Sequence, residues 1–139
     1  MQLGEGWGHP GRPAGTPTGN KWARFAIAAY TIQANVGPVN IIDSSILVSS
    51  SFSDGVELRV YVNDSLKTSF IQAGGSPAAA FNISLGSLNT GDKVYVAVGA
   101  NNSDAGDTFN LSYKLVPEPA TLVLLAIGGV LAGAGRRRR

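Results

Sequence analysis

Few side chains in this sequence can do chemistry, and their spacing limits what that chemistry could be. His9 is the single histidine, and there is no cysteine. A hydrolytic triad needs a base oriented by an acid beside a nucleophile. A zinc site needs three or four His, Cys or carboxylate ligands. Neither set can be assembled around His9, which stands among Gly and Pro and reads as a surface residue. Without cysteine there is no disulfide framework, thiolate metal site or thiol nucleophile. Asp54, Asp64, Asp92, Asp104 and Asp107 fall in turn-like sequence, where loop oxygens could meet Ca²⁺. The best such stretch, Asn101 to Asp107, lacks the twelve-residue order and closing Glu of an EF-hand. Turn chemistry accounts for Asp equally well. A glycosidase needs two carboxylates across one cleft, and Glu57 is the only acid on the strongest strand patterns. These residues predict no enzyme, no metal and no cofactor.

The remaining candidates are aromatic and amide side chains. Tyr61, Tyr95, Trp7 and Trp22 could stack on sugars, or pack beneath loops. Asn63, Asn82, Asn101 and Asn110 each open an N-x-[ST] triplet, which Asn and Ser richness alone produces. Gly129 and Gly133 form a GxxxG pair that is ordinary in an apolar helix.

The elements that must position these residues are strands. Val56, Leu58, Val60 and Val62 alternate with Glu57, Arg59, Tyr61 and Asn63. The same period of two recurs at Phe81, Ile83 and Leu85, at Val94, Val96 and Val98, and at Phe109, Leu111, Tyr113 and Leu115. A period of two marks a strand with one face buried and one wet. Turn signals separate the runs at Ser53-Asp54-Gly55, Asn63-Asp64-Ser65, Gly74-Gly75-Ser76-Pro77, Asn89-Thr90-Gly91-Asp92 and Gly99 to Asp107. Weaker strands are expected over 24–33, 66–72 and 39–52, the last one broken or whole. The expected fold is all-β: an antiparallel, jelly-roll-like β-sandwich of about seven or eight strands. Val56, Leu58, Val60, Val62, Val94, Val96, Val98, Phe109 and Leu111 should share its core.

A chain of 139 residues and 14.4 kDa suits one such domain. Three zones divide it. Residues 1–20 hold six glycines and three prolines and are expected to be irregular. Residues 21–116 form the β domain, and 117–139 a separate tail. Residues 1–20 have neither the charged nor the apolar region of an export leader, so the natural chain is expected to continue upstream. The pI of about 9.2 comes from Arg136, Arg137, Arg138 and Arg139. Residues 1–119 carry seven basic against nine acidic side chains. A slightly acidic body offers no basic face to phosphates, so no nucleic-acid partner is expected.

The tail reads Pro117-Glu118-Pro119, then sixteen uncharged residues from Ala120 to Gly135, then four arginines. Leu122, Val123, Leu124, Leu125, Ile127, Val130 and Leu131 are its membrane-anchor candidates. As a helix the run would measure about 24 Å, short against a hydrocarbon core of about 30 Å. Arginine snorkelling and local thinning of the bilayer could accommodate it. The arginines should stay cytoplasmic and leave the β domain outside. A short buried core helix is the alternative, and such glycine content before four arginines fits it badly.

This order of parts closely resembles the PEP-CTERM sorting signal of Gram-negative bacteria. The resemblance implies recognition of Pro117-Glu118-Pro119 by exosortase, a membrane-embedded cysteine enzyme that cleaves near the motif. It further implies a membrane-anchored precursor released to the cell surface or exterior, in bacteria that often make extracellular polysaccharide. The prolines around Glu118 disfavour helix and keep the motif extended, as a protease-like cleft requires. The runs DGVELRVYVND, FNISLGSLNTGDKVYVAVG and DTFNLSYKL are similar to β domains that precede this tail. A surface or matrix protein without enzymatic activity is the leading expectation. A carbohydrate-binding module exported by the same route is the alternative.

Overall fold

The computed structural model describes residues 2–8, 25–102 and 105–118. These form eight strands: β1 (Gln2–Gly8), β2 (Ala26–Thr31), β3 (Val36–Val48), β4 (Val56–Val62), β5 (Ser65–Gln72), β6 (Ile83–Leu88), β7 (Lys93–Ala100) and β8 (Phe109–Pro117). One sheet has the order β1-β8-β3-β6, the other β2-β7-β4-β5, and every pairing is antiparallel. The pairs 1–8, 2–7, 3–6 and 4–5 nest like one long hairpin rolled into two sheets, the strand order of a jelly roll. No helix occurs among the described residues, and none is long and apolar enough to cross a membrane.

The alternating sequence explains the core. Val56, Leu58, Val60 and Val62 all point inward from β4, and their β7 partners in register include Val94, Val96 and Val98. The first sheet contributes Val39, Ile41, Ile46, Val48, Phe109, Tyr113 and Leu115. Phe81 closes the cluster with its ring centroid 5.9 Å from that of Tyr113, edge to face. Leu111 packs against this core half-buried, not buried as its alternation suggested, because β1 beside it presents glycine at Gly6.

Two expectations about the elements are corrected. Residues 1–20 are not irregular throughout, since Gln2–Gly8 forms β1 on the edge of a sheet. Its pairing with β8 uses backbone groups, which a glycine-rich segment has in full while lacking any side-chain period. Gly8 sits against the Phe109 ring, where a Cβ would come within 2.5 Å. The 39–52 run is a single strand over Val36–Val48. A bulge between Ile42 and Ser45, with Asp43 at φ 47°, absorbs the step that interrupts the sequence pattern. The expected tail helix, with Pro119, the seven anchor residues and the four arginines, lies outside the described residues, as do His9, Trp22 and the glycine pair.

Candidate functional site

The sorting-motif candidate begins inside the sheet. β8 runs to Pro117, opposite Val39 of β3. Pro117 and Val39 form a pair bridged through its neighbours, so the bond to β3 falls at the next residue. There the Glu118 N–H donates to the Pro38 carbonyl at 2.6 Å. Asn40 lies opposite Val116 on the solvent face. Glu118 is two residues further along β8, so its side chain falls on that same face, diagonal to Asn40. Asn40 Nδ2 donates to Glu118 Oε1 at 3.1 Å. The motif's acid is therefore held twice by β3, through its amide and through its carboxylate. Four residues earlier, Lys114 Nζ meets Asp43 Oδ2 at 2.7 Å across the same two strands.

Sequence reasoning identified Pro117 and Glu118 and missed Pro38 and Asn40. No local signal could have found them. Asn40 and Glu118 are 78 residues apart, and only the β3–β8 register brings them together.

The aromatic candidates lie on the outer face of the other sheet. Tyr61 and Tyr95 are direct cross-strand partners on β4 and β7, both half-buried. Beside them, Glu57 accepts two hydrogen bonds from Arg59, from Nε at 2.8 Å and from Nη2 at 2.7 Å. The Glu57 carboxylate, and after it the Tyr61 hydroxyl, hold the guanidinium charged well above its ordinary range. That guanidinium stands 4.9 Å from the centroid of Phe25. Phe25 in turn covers Gly99, where a Cβ would meet the ring at 2.6 Å. Ile27, Leu66 and Ile71 are more than half or half exposed on the β2 and β5 strands flanking this pair of strands. The Trp7 side chain lies outside what is described.

The aspartates are spread among several turns. Asp107 is fully buried and accepts a 2.5 Å hydrogen bond from the Ser53 hydroxyl, whose oxygen accepts from the Gly55 amide at 2.9 Å. Asn101 donates through Nδ2 to the Asp54 carbonyl and through its amide to that of Gly55. These bonds tie the loop before β4 to the loop after β7. Asp92, across the molecule, accepts from Asn63 Nδ2 at 3.0 Å and from the Asn89 amide at 2.7 Å, which lowers its pKa. Asn63 adopts φ 52° and also receives the Lys93 amide, and Asn82 receives the Ser44 hydroxyl. Both asparagines thus have structural roles. Asp104 is not described, and no group of three acids or histidines that could hold a metal occurs among the described residues.

Residues 115–139 match the model of the PEP-CTERM protein-sorting motif. The matched stretch starts at Leu115, whose side chain is buried in the core, so the signal and the β domain share the last three residues of β8. No curated protein matches the chain at a significant level of similarity.

Proposed function

We propose that this chain is an exported surface or extracellular-matrix protein without enzymatic activity, sorted and cleaved by exosortase through its C-terminal tail. The match at residues 115–139 carries the reading, since it supports exosortase-dependent sorting to the surface. In this reading Pro117-Glu118-Pro119 is a recognition element. The apolar run parks the precursor in the membrane, and Arg136–Arg139 hold its end in the cytoplasm. The chain is the substrate and supplies no catalytic group. The test is the intact mass of the exported protein in strains with and without exosortase. Loss of the tail only where the enzyme is present is expected. Equal masses in both strains, each still ending in four arginines, would make the tail a plain anchor.

A second reading rests on the paired Tyr61 and Tyr95. Two tyrosines opposite each other in register, next to the Arg59–Glu57 pair, put aromatic and hydrogen-bonding groups on one sheet face, a combination suited to extracellular polysaccharide. Glycan-array binding that disappears on Tyr61→Ala or Tyr95→Ala is its expected signature. No binding to any glycan would leave this face a structural one.

A further inference from the structure

The processing enzyme must take hold of Glu118, and the folded domain already does. The Pro38 carbonyl occupies the Glu118 amide at 2.6 Å, and Asn40 Nδ2 occupies its carboxylate at 3.1 Å. Only Pro119 separates Glu118 from Ala120, where the uncharged run begins. Extended chain covers at most about 7 Å in that interval. There is no spacer in which a second, unpaired copy of the motif could be offered. An enzyme at the membrane surface must then compete with β3 for the same amide and the same carboxylate.

We propose that β3 acts as a clasp on the sorting motif, with Asn40 as the residue that sets its strength. Processing is gated by separation of the last residues of β8 from β3. This inference rests on the reading of the tail as an exosortase signal and adds a residue outside that signal, 78 positions upstream, to what controls it. Opening is local. Pro117 and Glu118 are exposed, and the buried Leu115 and Tyr113 hold the rest of β8 in place. When opening and reclosing are fast relative to cleavage, the rate follows the open fraction. Loss of one exposed hydrogen bond should raise that fraction about two- to fivefold.

The experiment is a pulse-chase of the full chain in a host with exosortase, reading the rate at which the tail is lost. Asn40→Ala should be processed about two- to fivefold faster than wild type. Asn40→Asp, which sets a second carboxylate against Glu118, should be at least as fast. Asn40→Arg, which offers a charge-assisted bond to Glu118, should be slower. Acceleration by Asp together with slowing by Arg separates a clasp from general destabilisation, and equal thermal midpoints of the three variants control for folding. Unchanged rates, or slowing by Ala and Asp, would overturn the clasp and make Asn40 irrelevant or a presenter of Glu118. A wild-type chain that is never cleaved removes the sorting reading itself, and the clasp with it.

Discussion

Ser53 and Asp107 are 54 residues apart, yet their 2.5 Å contact joins the Asn101 bonds in fastening two loops at one end of the molecule. The Ser53 oxygen donates to a fully buried carboxylate and accepts from the Gly55 amide, so its removal strips a partner from two groups at once. Ser53→Ala should therefore destabilise by about 1–3 kcal/mol, since two buried groups each lose a hydrogen bond. A lower urea midpoint at unchanged slope is the expected measurement. Tyr113 provides a pH signature. Burial raises its phenol above the ordinary value, so the folded state favours the neutral form. Its stabilising contribution is full below about pH 10, the unfolded value, and is lost as pH rises through the folded one. Urea midpoints should fall more steeply between pH 9.5 and 11.5 in wild type than in Tyr113→Phe, both pH values being about those that bracket an ordinary tyrosine.

At the scale of the strand, burial decides which alternating residue matters. Leu58 of β4 is fully buried, while Leu66 of β5 is half exposed. Leu58→Ala should cost about 2–5 kcal/mol and Leu66→Ala within about 0.5 kcal/mol, a contrast that paired denaturation curves would read directly. Strands such as β4, β7 and β8 were legible in the sequence because each has one dry face, and a dry face writes a period of two. β1 was not legible, because its glycines carry no period and its stabilisation is a backbone ladder to β8. β3 was half legible, since the bulge at Asp43 shifts the phase of its pattern midway. Asp107 was read as a turn former and is also a buried anchor. Turn chemistry and burial select the same residue type there, and only the distant Ser53 distinguishes them. The motif at Pro117-Glu118 was plain from its order before an apolar run. The β3 groups that hold it follow from strand register, which no local pattern encodes.

The molecule as a whole has two ends, and the motif belongs to one of them. The β4–β5 turn at Asn63-Asp64, the β6–β7 turn at Asn89 to Asp92 and the end of β8 cluster where β3 begins. The 49–55 loop, with Phe52 almost fully exposed, lies where β3 ends. β3 has 13 residues, which at about 3.3 Å each puts roughly 40 Å of strand between the two ends. With Glu118 fixed to the sheet and at most about 7 Å of chain to Ala120, a tail inserted in the membrane seats the first end on the headgroups. The sequence has no cysteine, so Thr90→Cys and Phe52→Cys each place one fluorophore without competing thiols. In vesicles carrying a headgroup quencher, the label at 90 should be quenched and the label at 52 should not. Protease outside intact spheroplasts should digest this same β domain. Equal quenching at both positions, or a domain fully protected from external protease, would mean that the tail does not seat the protein on the outer side of the membrane by the end of β8.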